Sequence, residues 1–480
     1  MPATRIHLLN GADATFVRGI AAIQDEMKLP LTFPPEVEAE ASQAAAQPRL
    51  PDLDRTDIPL VTIDPPGSMD LDQALHFERL DGGGYRVHYA IADVAAFVAP
   101  GGAVDAEAHR RGETLYGAES RIPLHPPVLS EGAASLLPDQ LRPALLWTID
   151  LDAGGEIAAI DVRRARVKSR ARLDYAGVQQ QLDAGTADPL WRLLREVGEL
   201  RQRREQARGG INLALPEQEI GMADGRWQLS YRVNHPDEDW NAQISLLTGM
   251  AAARLMVKGK VGILRTLPPQ QPQDIARLQR TARALDIAWP EGQGYADFIR
   301  ALDPSKDAHV AMLTACTTVL RGAGYVAFDG ELPAQPMQSA VAAEYAHATA
   351  PLRRLVDRYV GEVCVALCAG QPVPEWVRAA LPALPEVMAE SDRRAKHYER
   401  QVIDLLEAVL LAPRVGETFR GAIVEINEAH GNGHEGVVML RTPAIEARVN
   451  SPTPLPLGQE VAIRLVMADP VRRQVRFELA

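Results

Sequence analysis

Apolar residues in the first third of the chain fall in short runs of the kind that form β-strands. The runs are IPLVTID from residue 58, YRVHYAIADVAAFV from 85, LLWTIDLDAGG from 145 and IAAIDVRRARV from 157. After residue 183 the apolar positions recur every three or four residues over 189–206, 241–257, 272–285 and 357–370, which indicates helices. Early strands followed by helices predict an α+β domain over 57–411, an antiparallel sheet with helices on one side of it.

The last part of the chain has a different pattern. From residue 416 onward, short runs that alternate apolar and polar residues are separated by glycine and proline turns, at the spacing of an all-β domain. About five strands fit into this segment, as a small closed barrel requires. We therefore predict an OB-fold β-barrel over 412–480, although the composition fits an SH3-like barrel almost as well. The stretch HGNGH at 430–434 is interpreted as a loop of this barrel.

Two helical patterns, at 14–27 and 34–46, precede the first strand, and the proline-rich stretch AAQPRLPDLDRTDIP follows them. Prolines at this density interrupt regular structure and are typical of a linker. Residues 1–56 are therefore predicted to form a short N-terminal helical module, with a helix-turn-helix-like arrangement as one option, and a linker.

Composition and charge narrow the class of protein. At 480 residues the chain is too long for one ordinary domain, and its shares of 46% hydrophobic and 24% charged residues are those of a globular protein. The formal net charge of −12 argues against a protein that coats nucleic acid indiscriminately. Arginines nevertheless cluster from Arg163, from Arg201 and around Arg353, and such clusters can follow a phosphate backbone. The alternative is that they are solvated helix faces whose arginines pair with glutamates.

The chain has three cysteines, Cys316, Cys364 and Cys368. This number is small and odd, which argues against a disulfide framework. Reduced thiols of this kind are typical of a cytoplasmic protein. No apolar run approaches the length of a membrane-spanning helix, so we expect no membrane partner.

The stretch TIDPPGSMDLDQAL, residues 62–75, follows an apolar run and holds three carboxylates, Asp64, Asp70 and Asp72. If the part after Met69 is extended, Asp70 and Asp72 point to one side, and the PPG turn brings Asp64 to join them. Three converging carboxylates suit Mg²⁺, which prefers hard oxygen ligands and fills its other positions with water and substrate phosphate. The alternative is a turn whose aspartates cap backbone amides.

The same stretch, followed by VHYAIADVAAFV, resembles the signature of the ribonuclease II family, the RNB-domain exoribonucleases. The likeness continues in order through VKSRARLDYAGV, RGGINLALPEQEI and YAHATAPLRRLVDRY, and it covers about residues 57–410. The barrel that follows resembles the family's S1 domain. Several motifs in a fixed order are more specific than any single motif.

The resemblance implies a processive 3′→5′ exoribonuclease that cuts single-stranded RNA to nucleoside 5′-monophosphates, with Mg²⁺, or Mn²⁺ in its place, as cofactor. Asp64, Asp70 and Asp72 then take three of the family's four acidic metal positions, and Asp72 is expected to be catalytic. The fourth position holds Gln73, where the family has an aspartate; an amide oxygen ligates a metal without adding charge. The alternative is therefore a catalytically weak or inactive RNA-binding protein on an RNB scaffold.

The resemblance also assigns two arginines to the RNA. Arg353 matches the family position that contacts the scissile phosphate, where a guanidinium fork offsets charge in the transition state. Arg353 is therefore predicted to be catalytic and, with Arg354 beside it, to bind RNA. The alternative for Arg353 is an ion pair with Asp357 in the first turn of a helix.

Three more residues are predicted from the resemblance to contact RNA. Tyr116 matches an aromatic residue that stacks on the terminal base, a contact worth roughly 1–3 kcal/mol per base. Tyr175 matches a second substrate-contacting tyrosine, and Gln243 lies where the family usually has a glutamate.

The N-terminal region departs from the family pattern. Bacterial relatives carry two cold-shock barrels ahead of the catalytic domain, and residues 1–56 are too short and too helical for even one. A single-stranded RNA 3′ end is the expected partner, and a threading mechanism requires no obligatory protein partner.

Overall fold

The computed structural model describes residues 14–117, 121–213, 215, 217–223, 226–232, 234–427, 434–441 and 443–480. Residues 1–13 of the predicted N-terminal module and most of the HGNGH stretch lie outside the described residues. The helices are α1 (Ala14–Glu26), α2 (Pro35–Ala46), α3 (Ala103–Arg111), α4 (Tyr175–Asp183), α5 (Pro189–Arg208), α6 (Pro236–Gly259), α7 (Pro272–Ala284), α8 (Tyr295–Arg300), α9 (Asp307–Thr317), α10 (Leu355–Cys368), α11 (Glu375–Ala380) and α12 (Leu384–Leu411). The strands are β1 (Thr62–Ile63), β2 (Gln73–Arg79), β3 (Tyr85–Ala92), β4 (Leu115–Tyr116), β5 (Arg121–Ile122), β6 (Leu141–Leu151), β7 (Ile157–Lys168), β8 (Arg172–Leu173), β9 (Glu217–Ala223), β10 (Arg226–Arg232), β11 (Val261–Thr266), β12 (Gly324–Asp329), β13 (Met337–Gln338), β14 (Ala343–Glu344), β15 (Thr418–Ile426), β16 (His434–Arg441), β17 (Ala444–Ser451), β18 (Glu460–Asp469) and β19 (Gln474–Leu479).

The centre of the larger domain is a four-stranded antiparallel sheet in the order β2-β3-β6-β7. Side chains of β6 alternate between its faces: Trp147 and Ile149 lie in a core shared with α5, α6 and α10, whereas Ala144 and Leu146 lie in a second core shared with α2. The α+β prediction is confirmed. The expectation of helices on one side only is wrong, because β6 is apolar at successive positions and therefore buries both faces.

The strand β2 and the helix α12 are not among the elements that the sequence pattern singles out. In β2 the buried residues Ala74, Leu75 and Phe77 are interleaved with polar ones, which hides the strand within the acidic stretch. The 28-residue helix α12 has a highly charged middle, which masks its apolar stripe. Both elements matter for the site, since β2 begins at Gln73, directly after Asp72, and α12 connects the sheet domain to the barrel.

The two N-terminal helices form as predicted, but they pack against different parts of the protein. α1 buries Phe16, Ile20 and Ile23 in a core that it shares with α12 and the barrel. A Cβ at Gly19 would lie 2.6 Å from a methyl carbon of Leu405, so α1 and α12 approach closely here. α2 instead joins the second core of the sheet domain. Within the described residues the two helices have no core in common, unlike a helix-turn-helix module.

The C-terminal strands close into a five-stranded barrel in the order β15-β16-β17-β19-β18. Neighbouring strands are antiparallel except β17 and β19, which run parallel. Phe419, Ile463 and Phe477 lie in the barrel core. The closed barrel confirms the OB-fold prediction, whereas the boundaries at 57–411 and 412–480 stay predictions.

The cysteines and the lengths of the helices bear on redox state and on membrane insertion. Cys316, Cys364 and Cys368 form no disulfides. Burial raises the pKa of Cys316 to about 11, so this thiol stays protonated at neutral pH. Of the helices in the described part of the chain, none has both the length and the apolar character needed to cross a membrane.

Candidate active site

The acidic segment begins where β1 ends. β1 pairs in parallel with β8, and the next residue, Asp64, donates its backbone N–H to Leu173 O (3.1 Å). In the PPG turn that follows, Gly67 has a φ of +83°, a conformation that residues with a Cβ rarely adopt. The chain therefore turns sharply between Asp64 and Asp70.

Ser135 holds the backbone that carries Asp70 and Asp72. Its hydroxyl donates to Met69 O (2.6 Å) and accepts from Leu71 N (3.0 Å). The Leu71 side chain is fully buried in the core shared with α2. Because side chains alternate along an extended segment, Asp70 and Asp72 are expected on the side opposite Leu71.

Asp72 is the most buried carboxylate of the segment, at 4% exposed. Its Oδ1 accepts a hydrogen bond from Leu352 N (2.8 Å), and Arg353 Nε lies 3.4 Å from its Oδ2. Oδ2 accepts no hydrogen bond from the described residues. Burial raises the pKa of Asp72 to about 8, against the opposing effect of Arg353. One guanidinium group thus does not offset the burial of this carboxylate, and further positive charge at Oδ2 would stabilise its ionised form.

Asp70 is held by Arg121, the first residue of β5. Arg121 Nη1 donates to Asp70 Oδ1, and Arg121 Nη2 lies 2.7 Å from Glu131 Oε1. The side chains of Arg121 and Asp70 are only 22% and 15% exposed, which limits the screening of their ion pair by water. Sequence reasoning missed Arg121, because it stands alone in the stretch ESRIP, outside the arginine clusters.

Gln73 connects three elements through its side-chain amide. Its Nε2 donates to Thr349 O (2.6 Å), and its Oε1 accepts from the hydroxyl of Tyr89 (2.6 Å). Tyr89, in β3, is fully buried and was also missed from the sequence. The amide is therefore a link between β2, β3 and the residues that precede Arg353.

The metal site expected from the sequence is not assembled as three converging carboxylates. Within the described residues, no three His, Cys, Asp or Glu side chains are grouped closely enough to hold a metal ion. The structure differs from the expectation for Asp64, Asp70 and Asp72 because Asp70 and Asp72 are bound by different partners. The donor chemistry still fits a divalent cation at Asp72, since its buried Oδ2 is a hard oxygen ligand without a hydrogen-bond donor. The metal-binding roles of these aspartates and of Gln73 stay predictions.

The arginine loop, residues 345–354, connects β14 to α10 and carries two arginines with different partners. Arg354 donates to both carboxylate oxygens of Asp357 (3.0 and 2.9 Å), and Asp357 Oδ1 also accepts from Ala350 N (2.7 Å). The ion pair with Asp357 that was the alternative for Arg353 is thus made by Arg354. The Arg353 side chain remains 47% exposed, so it is the more accessible arginine of the two.

Tyr116 lines the same recess as the acidic segment. It lies in β4, opposite Arg121 of β5, and is 41% exposed. Burial nevertheless raises the pKa of its phenol to about 12, with Arg353 opposing the shift and the charges of Asp70 and Asp72 adding to it. The Tyr116 ring thus lies near the charges of the acidic segment and of Arg353 while remaining reachable from solvent. We call the region formed by Tyr116, Arg121, Arg353 and the acidic segment the active-site recess.

One face of α6 adds polar groups to the surroundings of the arginine loop. Asn241 Nδ2 donates to the hydroxyl of Tyr175 (2.9 Å), and Ser245 Oγ lies 2.7 Å from Thr349 Oγ1. Asn241 and Ser245 are four residues apart and therefore share a helix face. Neither was singled out from the sequence, although their spacing on a predicted helix was a usable signal.

Gln243 lies on a different face of α6. Its Nε2 donates to Glu205 Oε2 (3.0 Å) in α5, and only 5% of Gln243 is exposed. Two residues correspond to a rotation of about 200° on a helix, so Gln243 points away from the face that carries Asn241. The structure therefore does not bring Gln243 together with Tyr175, and its contact with RNA stays a prediction.

Arginines of the other basic runs have partners within the protein. In the first run, Arg164 lies 2.9 Å from the carboxylate of Asp93. In the second run, Arg201 is 1% exposed and donates to Gly155 O (2.6 Å). For these two side chains the structure supports neither a phosphate-binding track nor a solvated helix face.

Comparisons with known proteins identify the two domains and the family. Residues 53–368 match the RNB domain, and residues 417–480 match the RNase II-type exonuclease C-terminal S1 domain. The chain is 27% identical over 433 residues to Ribonuclease R of Escherichia coli (strain K12), and the alignment covers 83% of this chain and 52% of that protein. The chain thus spans about half the length of the curated relatives it matches.

Two solved structures have the same fold. Mycoplasma genitalium RNase R in complex with ribose methylated single-stranded RNA has a TM-score of 0.85 at 20% identity, over 97% of this chain and 78% of that chain. Yeast Ssd1, described as a pseudonuclease, has a TM-score of 0.68 at 16% identity, over 90% of this chain and 55% of that chain. At these identities the likeness concerns the fold alone. Since the RNB match covers well over half of the chain, the resemblance seen in the sequence motifs is confirmed, and the protein belongs to the RNB-domain, or ribonuclease II, family of exoribonucleases.

Proposed function

We propose that the protein hydrolyses single-stranded RNA processively from its 3′ end and releases nucleoside 5′-monophosphates, with Mg²⁺, or Mn²⁺ in its place, as cofactor. The observation that carries this proposal is the buried Asp72 beside the accessible Arg353 within an RNB domain. Asp72 would hold the cation, with the negative charges of Asp64 and Asp70 near it. When bound, a divalent cation lowers the pKa of a water molecule and offsets phosphate charge.

Arg353 is suited to contact the scissile phosphate. Its backbone is fixed, since Thr114 N donates to Arg353 O (3.0 Å), while its side chain remains half exposed. A guanidinium fork binds two phosphate oxygens at once and offsets the charge that develops as the phosphodiester bond breaks. The neighbouring Arg354 supports this geometry through its pair with Asp357, and its direct contact with RNA stays a prediction.

Tyr116 supports an exonuclease that accepts any sequence. Its partly exposed ring offers a face on which every base can stack, since stacking does not depend on base identity. Tyr175, which is linked to α6 through Asn241, is proposed as a second contact with the RNA strand. The C-terminal barrel would guide the strand toward the recess, as OB-folds bind oligonucleotides. A cytoplasmic location and the absence of an obligatory protein partner stay predictions.

One observation favours a second candidate, an RNB-fold protein that binds RNA without cutting it. Gln73 supplies an uncharged amide at the fourth acidic position, and its polar atoms are engaged by Tyr89 and Thr349. A site with less negative charge holds a divalent cation less tightly. The structural neighbour Ssd1, described as a pseudonuclease, has the same fold.

A digestion assay separates the two candidates. Purified protein is incubated with a 5′-labelled single-stranded RNA and Mg²⁺, alongside Asp72→Asn and the matched control Asp81→Asn, an exposed aspartate between β2 and β3. We expect progressive shortening from the 3′ end with release of mononucleotides by the wild type and by Asp81→Asn, and none by Asp72→Asn.

Intact RNA that shifts in a native gel with wild-type protein would contradict hydrolysis and support the RNA-binding candidate. A DNA oligonucleotide of the same sequence in a parallel reaction tests the sugar preference. Its digestion at the rate of the RNA would overturn the assignment to RNA.

A further inference from the structure

Arg121 is a positive charge that already lies within the active-site recess. It opens β5 directly opposite Tyr116 of β4, and its terminal nitrogens contact Asp70 and Glu131. The guanidinium group is therefore held between two carboxylates. Arginine keeps its charge at every pH at which the protein is folded, so this cation is a permanent part of the recess.

Asp70 and Asp72 differ in what binds their oxygens. Arg121 donates to Asp70 Oδ1, whereas Asp72 Oδ2 accepts no hydrogen bond from the described residues. A divalent cation that used this oxygen of Asp70 would compete with a guanidinium group in a partly buried ion pair. A cation at Asp72 Oδ2 displaces no hydrogen bond, and the guanidinium group near this oxygen, that of Arg353, lies at 3.4 Å on a side chain that is 47% exposed.

Gln73 gives independent support. Its amide adds no negative charge beside Asp72, and it is engaged by two neutral groups, the hydroxyl of Tyr89 and the carbonyl of Thr349. A second divalent cation needs further carboxylates to offset its charge. Next to Asp72 the recess offers the amide of Gln73 in place of a fourth carboxylate. Next to Asp70 it already holds the guanidinium group of Arg121.

We propose that Arg121 takes the place of a second divalent cation, so that the recess binds a single such ion, at Asp72. The inference deepens the proposed function and rests on it for the identity of the ion. Arg121 is here a positioning residue, since it holds Asp70 and fixes the charge of the recess without touching the scissile bond.

The test counts the Mn²⁺ ions bound per full-length chain in the absence of RNA, from the electron paramagnetic resonance signal of free Mn²⁺. Wild type is expected to bind one ion. Arg121→Met removes the charge while keeping a long side chain, and its count should rise to two as Asp70 is released. Arg121→Lys keeps a positive charge and should bind one ion. Arg163→Met, at a side chain that is 68% exposed on β7, is the matched control and should also bind one.

Two ions in the wild type, or one ion in a folded Arg121→Met protein, would overturn the inference. Thermal unfolding of each variant checks folding, and the wild-type count stays decisive if Arg121→Met does not fold. RNA digestion by the wild type, measured in parallel, separates this inference from the proposed function. If the wild type binds two ions and digests RNA, the proposed function stands and this inference is overturned. If the wild type binds one ion, Arg121→Met binds two and the wild type does not digest RNA, the inference stands and the proposed function is overturned. No bound Mn²⁺ overturns both the inference and the cofactor assignment.

Discussion

The active-site recess and the junction between α12 and the barrel each bury a carboxylate, and the hydrogen bonds made by the two carboxylates differ. Asp72 and Glu407 are 4% and 2% exposed, and burial raises the pKa of each to about 8. Asp72 has a guanidinium neighbour, Arg353, and an oxygen that accepts no hydrogen bond from the described residues. Glu407 Oε1 accepts hydrogen bonds from two neutral donors, Gln218 Nε2 and Glu446 N, at 3.1 Å each.

The difference teaches that burial and a raised pKa do not by themselves mark a functional carboxylate. At the junction the neighbour Glu446 is partly buried, and burial raises its pKa as well; the hydroxyl of Tyr231 lies 3.4 Å from its Oε1. Arg400 opposes the shift of the Glu407 pKa, as Arg353 opposes that of Asp72, and the proton that Glu407 keeps offsets the remaining cost of burial. In the recess the same problem is solved by an accessible arginine and, in the proposed function, a cation.

Arg353→Ala is expected to have the largest effect on the recess. The variant removes the guanidinium group that offsets charge on Asp72 and on the phosphate, so kcat should fall about 10²–10³-fold, as for loss of one preorganised donor to a transition state. Arg353→Lys should recover only a part, because lysine lacks the two-pronged fork. Steady-state digestion of a short RNA measures both. Arg163→Ala, at an exposed arginine, is the control, and an Arg353→Ala enzyme with wild-type kcat would contradict the assignment.

Glu407→Gln is expected to have the next largest effect, and it acts on the junction alone. The folded-state pKa of Glu407, about 8, lies above its ordinary value of 4.5. The folded protein therefore keeps a proton that the unfolded chain has lost, and wild-type stability falls as the pH rises between these two values. Glutamine abolishes this loss, so the variant should gain stability over the wild type as the pH approaches 8, at about 1.4 kcal/mol per unit of pKa shift.

Thermal unfolding of this variant and of the wild type between pH 5 and pH 9 measures the effect. A gain of ~1.4 kcal/mol per pKa unit is large enough to be resolved in this measurement. Glu390→Gln, at an exposed position of the same helix, is the matched control. Parallel pH profiles for Glu407→Gln and the wild type would show that Glu407 does not carry the pH dependence of the junction.

Gly249→Ala tests the packing that places the arginine loop. A Cβ at Gly249 would lie 2.5 Å from Ala346 O and 2.2 Å from Tyr345 Cε2. Since backbone cannot yield as a flexible side chain does, the loop that carries Arg353 must shift. We expect a loss of about 1–3 kcal/mol in the free energy of unfolding, with a lower kcat. Gly324→Ala, where a Cβ would meet nothing within 4 Å, is the control; equal stability of the two variants in denaturant unfolding would refute the packing argument.

Tyr116→Ala is expected to have the smallest effect and to act on binding only. The loss should fall at the lower end of the roughly 1–3 kcal/mol that a stacked base contributes. The ring is only 41% exposed, so part of it is unavailable to a base. Tyr116→Phe keeps the ring and should bind like the parent protein. Fluorescence anisotropy with a labelled RNA, in an Asp72→Asn background that prevents cutting, measures the change; equal loss in both variants would assign the effect to the hydroxyl instead of the ring.

Family motifs singled out two residues that the structure brings together, but not their other contacts. Asp72 and Arg353 lie far apart in the chain, and each stands in a motif of its own; their catalytic roles stay predictions. Arg121 and Ser135 have no such signal, because each stands alone in its stretch and meets its partner only in the folded chain. Asn241 had a weaker signal, its helical spacing from other polar residues.

The fold was predictable where one pattern dominated a segment. The alternation along the last 65 or so residues was enough for the barrel. The second covered face of the sheet was not foreseen, because it depends on where α2 packs. Gln73 was predicted as a ligand from its place in the motif, whereas the structure engages its amide with Tyr89 of β3 and with Thr349 of the arginine loop.

The position of α1 has a consequence for any shortened version of the protein. Gln24 Nε2 donates to the hydroxyl of Tyr398 (3.1 Å) in α12, and Glu26 pairs with Arg473 (2.6 Å) between β18 and β19. The helix α1 therefore packs against both α12 and the C-terminal barrel. Deletion of the chain up to residue 27 would expose the surfaces of α12 and of the barrel that α1 covers. The barrel would be destabilised, even though the deleted segment lies at the opposite end of the sequence.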